Sequence, residues 1–123
     1  MPEEMLAASR AKRAGSDTSH MVALYSSYFG GITTDPAMMM LPLDDHGMSR
    51  GHCMFDTGSF RDGRFYRLGT HVDRLLRNCD RGKVPHNFSR EQIIETIRQT
   101  VAATGLHNGA VRYYLTAGHG GCE

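Results

Sequence analysis

A chain of 123 residues, 40% hydrophobic and 22% charged, has the size and make-up of one ordinary globular domain. Fourteen Lys and Arg against thirteen Asp and Glu leave a net charge of +1, so the strong pull toward nucleic acid or an anionic membrane that a basic chain exerts is excluded. Only Lys12 and Lys83 are lysines, which puts nearly all the positive charge on arginine, the residue whose planar fork suits carboxylates and phosphates.

Residues 1–22 are polar, rich in Ala, Ser, Arg and Gly, and without a sustained apolar period. They read as a flexible N-terminal arm. No long apolar run makes a secretory signal or a membrane span there, and Glu3 with Glu4 argues against an organelle signal. A cytoplasmic location is expected, with an organelle left open. From Ala23 to Gly31 the run ALYSSYFGG has the aromatic content of a strand and ends in a glycine pair. Next, TTDPAMMMLPLDDHG carries Pro36, Pro42 and a turn signal over Asp44 to Gly47, with a short apolar strand predicted between them.

Gly51 to Leu68 reads as a hairpin about Asp62-Gly63, a favoured tight-turn pair. Thr70 is then a candidate helix cap, and Val72, Leu75, Leu76 and Cys79 recur at the spacing of a buried stripe. Arg74, Arg77 and Arg81 fall on the opposite face, which by periodicity alone is a solvated face. In SREQIIETIRQTVAATG, Ser89 and Gln92 form a capping box, Ile93, Ile94, Ile97 and Val101 make one apolar face, and Gly105 is a natural stop. AVRYYLTAG is a strand, followed by HGGCE as a linker. The order of elements predicts an α+β fold, a mainly antiparallel sheet packed against two helices, over residues 23–121.

Most clusters of reactive residues carry little when taken alone. Asp44, Asp45, His46, His52 and Cys53 are metal-ligand types, but their spacing matches no familiar zinc or calcium pattern, and no metal is expected. Cys53 with His52 or His71 lacks the order and flanking glycines of a nucleophile elbow. Cys79 reads as core. The three cysteines, Cys53, Cys79 and Cys122, are odd in number and lack C-x-x-C spacing, which fits a reducing compartment. The Gly-rich end has no phosphate-loop lysine.

Three stretches in order, DDHGMSRGHCMFDT, DGRFYRLGTHVDRLLRN and GAVRYYLTAG, are specific as a set. With them the chain resembles, from about Leu24 to Gly121, the N-terminal domain of class IV (fold-type IV) pyridoxal-phosphate aminotransferases, the family of branched-chain and D-amino acid transaminases and aminodeoxychorismate lyase. The resemblance implies pyridoxal 5'-phosphate as cofactor, amino acids and 2-oxo acids as substrates, and a homodimer, with no nucleic-acid or membrane partner. It makes Arg74, in H-x-x-R-L, the residue that grips the cofactor phosphate. It makes Phe55 part of the substrate pocket, followed by Asp56 where most members have Glu, and it places Arg112 on that pocket in the manner of branched-chain members. From the residues alone, Phe55 reads as a core side chain and Arg112 as an edge-strand arginine in solvent. The R-G-H-x-x-F-D-T wording resembles the D-amino acid branch, so the subfamily stays open. The resemblance also implies a C-terminal domain holding the Schiff-base lysine beyond this chain. No catalytic residue is expected among the 123, because neither Lys12 nor Lys83 stands at a matching position, and the chain alone is expected to be inactive. The alternatives are an aminodeoxychorismate-lyase-like enzyme and a non-catalytic binding or dimerisation module with the same fold.

Overall fold

The computed structural model describes residues 2–17 and 19–119, which divide into two compact units. One comprises the chain up to Met40 with Gln99–Gly105, and the other Leu41–Arg98 with the chain from Leu106 onward. Of the Gly-rich linker only His119 is among them; its remainder, Cys122 included, lies outside the described residues.

In the first unit, Pro2–Ala14 form helix α1, where the absence of an apolar period predicted no element. The helix buries no residue. Its sequence favours the helix locally instead: alanine-rich, with Glu3 and Glu4 in the first turn and Lys12 and Arg13 in the last, each complementing the helix dipole. Ser9 Oγ donates to Ala37 O at 3.3 Å, and Arg10 Nη2 lies 2.8 Å from Asp35 Oδ2. The single strand expected over Ala23–Gly31 is a hairpin. Leu24–Ser26 (β1) pairs antiparallel with Gly31–Thr33 (β2), because residues 27–30 turn and Gly30, at φ +73°, takes the left-handed conformation that closes them. The apolar strand expected between the prolines is a single 3-10 turn, Pro36–Met38, since Asp35 caps the Ala37 N–H and proline suits the first helical position.

In the second unit, the turn predicted over Asp44 to Gly47 opens a short helix, α2 (His46–Arg50), capped by Asp45 and ended by Gly51 at φ +65°. The Asp62-Gly63 hairpin is as predicted: both residues have positive φ, 51° and 73°, between β3 (Cys53–Arg61) and the two-residue β4 (Arg64–Phe65). β5 (Gly109–Thr116) pairs along the other side of β3, from Cys53↔Thr116 to Phe60↔Gly109, so the order is β4-β3-β5 and every pairing is antiparallel. Gly109 is required by the neighbour it faces, since a Cβ there would come 2.8 Å from Phe60 Cζ.

α3 runs Leu68–Arg81, starting ahead of the predicted Thr70 cap. Arg67 precedes it in the left-handed region, and no side chain caps it. Leu68, Val72, Leu75 and Cys79 are its buried stripe. α4 (Arg90–Thr104) has the capping box that its sequence predicts: Ser89 Oγ accepts from Gln92 N at 3.1 Å and Gln92 Oε1 accepts from Ser89 N at 2.8 Å. With Val84, Ile93, Ile97 and Leu115 the α3 stripe forms the core, and Met54, Phe65, Leu76, Ile94, Val111 and Tyr113 pack against it. The result is the α+β architecture that the order of elements predicts.

Candidate active site

Successive side chains of a strand point to opposite faces, and along β3 burial alternates with the same period from Phe55 onward. Asp56, Gly58 and Phe60 face the core and α3, while Phe55, Thr57, Ser59 and Arg61 face away. Asp56 is thereby a carboxylate with 6% exposure, the one buried charged residue among those described. A buried carboxylate is stable only when paired. Arg74, in the middle of α3, supplies the pairing as a fork: Nε donates to Oδ2 and Nη2 to Oδ1, each at 2.7 Å. The Thr57 N–H donates to Oδ1 at 2.8 Å. His71, one helical turn before Arg74, places Nδ1 at 3.2 Å from both Asp56 Oδ1 and Arg74 Nη2.

These contacts set the protonation states. The Arg74 hydrogen bonds hold the Asp56 carboxyl down from 3.8 to about 2, against the opposing effect of burial and with help from the Thr57 N–H and His71. The same contact raises Arg74, so both partners stay charged. Tyr113, on β5 directly opposite Asp56, is pushed up to about 12 by burial and by the negative charge of Asp56, with Arg74 opposing. Its hydroxyl is buried without a hydrogen-bond partner among the described residues.

The face of the sheet that points away from α3 is built differently. Cross-strand partners share a face, and here they are Phe55↔Tyr114 and Thr57↔Arg112. Phe55 is 56% exposed and Tyr114 54%, so Phe55 is not a core residue. The two ring centroids are 5.3 Å apart. The Arg112 guanidinium carbon lies 5.8 Å from the Phe55 centroid, within reach of a cation–π contact. The structure therefore brings Phe55 and Arg112 together and puts the guanidinium grip of Arg74 on the other side of the strand.

The other candidates have structural employment. Asp45 accepts from Gly47 N at 2.8 Å and from Thr116 Oγ1 at 3.0 Å, while His46 N donates to Gly118 O at 2.7 Å, so the α2 entry is tied to the end of β5. His52 Nε2 lies 3.2 Å from Gly82 O. Among the described residues no three His, Cys, Asp or Glu side chains are placed to hold a metal. Cys79 is fully buried, and burial pushes its thiol up, which makes it core as predicted. Sequence reasoning named Asp56 only as a departure from the family pattern and His71 only as a discounted partner of Cys53, and it passed over Tyr113 and Tyr114. The available signal was an acid at an inward position of an alternating strand, a place where carboxylates are rarely found unpaired.

The family model described as Amino-transferase class IV matches residues 54–123. A D-amino-acid transaminase, chloroplastic, of Arabidopsis thaliana is 50% identical over 99 residues, covering 80% of this chain and 26% of the relative. The Escherichia coli branched-chain amino acid aminotransferase superposes with a TM-score of 0.64 at 17% identity, over 72% of this chain and 30% of that one. The T.th. branched-chain amino acid aminotransferase, complexed with N-(5'-phosphopyridoxyl)-L-glutamate, superposes with a TM-score of 0.57 at 18% identity, over 63% and 28%. This chain thus spans about a quarter to a third of the length of these relatives. No helix among the described residues is long and apolar enough to cross a membrane. With a family match over more than half its length and these elements in place, the chain belongs to the class IV aminotransferase family.

Proposed function

We propose that this chain supplies the phosphate grip and part of the substrate-facing wall of a pyridoxal 5'-phosphate-dependent aminotransferase, moving an amino group between an amino acid and a 2-oxo acid. The observation that carries this reading is the guanidinium of Arg74. It is anchored through Nε and Nη2 to a buried carboxylate, while its side chain remains 52% exposed. The donor set fits a phosphate: the outward end, with Nη1 and the second hydrogen of Nη2, offers parallel N–H donors of fixed direction and permanent charge. Bound pyridoxal phosphate would supply the electron sink for the carbanion chemistry.

This chain's residues would bind and orient. Arg74 holds the phosphate, Phe55 and Tyr114 present ring faces that exclude water, and Arg112 offers a cation to a substrate carboxylate. D-amino acids are the favoured substrate class, on the strength of the 50% identity to a protein named D-amino-acid transaminase. The assembly we favour is a two-fold homodimer. Since Arg74 and Arg112 address opposite faces of one sheet, a second subunit allows the open face of one protomer to complete the site gripped by Arg74 of the other.

The test is Arg74→Ala in the complete protein. Affinity for pyridoxal phosphate, followed by fluorescence titration, is expected to fall about ten- to a hundredfold, the loss that follows from removing charged hydrogen bonds. Unchanged affinity rejects the grip, and faster turnover of L- than D-alanine rejects the substrate class.

A further inference from the structure

We infer that Asp56 is a positioning residue for anion recognition: its buried carboxylate, backed by His71, aims the free end of the Arg74 guanidinium and so sets a preference for phosphorylated over phosphate-free ligands. This assignment rests on the proposed grip of Arg74 on a phosphate.

An arginine on a helix surface ordinarily samples many rotamers, and binding must freeze them. Here the freezing is already done. Two bonds of 2.7 Å fix the Nε and Nη2 edge of Arg74. Asp56 cannot follow a wandering guanidinium, because it is 6% exposed and tied to the Thr57 N–H at 2.8 Å. It also sits on β3 opposite Tyr113, within the long pairing with β5. His71 closes the triangle. Its Nδ1 lies 3.2 Å from both neighbours, and in the tautomer that carries the Nδ1 proton it donates to Asp56, which restrains that corner and leaves the second Nη2 hydrogen of Arg74 for a ligand.

One effect opposes this. A carboxylate beside a phosphate site repels the incoming anion, and removing it would on that ground strengthen binding. Two features of the geometry decide against repulsion. The carboxylate lies behind the guanidinium, with its charge met at contact distance, and the half-exposed guanidinium lets solvent screen what is left. Loss of alignment, by contrast, affects both charge-assisted bonds to the phosphate at once.

The experiment measures dissociation constants for pyridoxal phosphate and for pyridoxal in the complete protein and in Arg74→Ala, Asp56→Ala and Asp56→Asn. The readout is the ratio of the two affinities, which a general loss of structure would not move selectively. Arg74→Ala is expected to abolish the preference for the phosphorylated ligand. Asp56→Ala is expected to reduce it by about tenfold, with pyridoxal affinity unchanged, as for loss of a charged hydrogen-bonding partner. Asp56→Asn, isosteric and still able to accept from the Thr57 N–H, is expected to fall between, and it decides the matter if Asp56→Ala does not fold. A preference that survives in Arg74→Ala rejects the phosphate grip itself. A preference lost in Arg74→Ala but kept or increased in the folded Asp56 variants rejects the positioning role alone.

Discussion

Arg74 and Arg112 act on neighbouring residues of β3 from opposite sides: Arg74 clasps Asp56, and Arg112 stands across from Thr57. If the proposed dimer joins the two faces into shared sites, Arg74→Ala and Arg112→Ala subunits should complement one another when mixed. A mixed population is then expected to recover about a quarter of wild-type activity, from the one site in each heterodimer with both arginines intact, an estimate from two-fold symmetry and random pairing. Sedimentation should show a dimer throughout. Two inactive variants that stay inactive after mixing would place both arginines in one subunit's site.

Acid should reveal the Asp56 pair as a stability difference. The folded-state carboxyl is held at about 2 against an ordinary 3.8, so its contribution is present in full above pH 3.8 and is lost as pH falls through about 2. At neutral pH that contribution is at most about 2 kcal/mol, and nearer 1 because the half-exposed Arg74 is screened by solvent. Urea unfolding of the wild type and Asp56→Asn is expected to differ by this amount at pH 7 and to converge toward pH 2. A constant gap across that range would show that the ion pair is not its source.

Two glycines make a paired test of the α2 entry. At Gly47 a Cβ would lie 2.8 Å from Thr116 Cγ2 and 2.9 Å from Asp45 Oδ1, on two side chains joined by the hydrogen bond from Thr116 Oγ1 to Asp45 Oδ2. Gly47→Ala should cost about 1–3 kcal/mol by overpacking. At Gly51 there is open space but a φ of +65°, so Gly51→Ala should cost about 1 kcal/mol from backbone conformation alone. Equal costs in chemical denaturation would mean that the contacts of Gly47 relax freely.

The isolated 123-residue chain is expected to form no stoichiometric Schiff base. A lysine that attacks an aldehyde at neutral pH is desolvated or crowded by cations, whereas Lys12 lies exposed on α1 and Lys83 exposed in the turn after α3. Incubation with pyridoxal phosphate, borohydride reduction and intact-mass measurement should show sparse labelling without site preference. Full modification of Lys83 would reverse this expectation.

What the sequence disclosed was local. The Asp62-Gly63 turn, the Ser89–Gln92 box and the Val72, Leu75, Cys79 stripe each depend on residues within a few positions, and each was legible. The run from Ala23 to Gly31 misled because aromatic content marks a strand whether or not Gly30 folds it back. The start of α3 was hidden because Arg67, at φ +51°, takes a conformation that no arginine advertises. α1 lacks an apolar stripe altogether, and only summed propensity pointed to it. Of the candidate site, Arg74, Phe55 and Arg112 were picked out by a family pattern, but the clasp on Asp56 joins residues 18 apart. Seeing it requires knowing which face of β3 meets α3.

The alternation along β3 from Phe55 onward gives its positions separate liabilities. An inward substitution at Gly58 or Phe60 disturbs the packing against the core, and one at Asp56 unpairs Arg74. An outward one at Phe55, Thr57 or Ser59 alters a surface on which the core does not depend. The same division runs along β5, with Arg112 and Tyr114 outward and Tyr113 and Leu115 inward. If the outward face lines the proposed substrate pocket, every second residue of two strands can change there without disturbing the core.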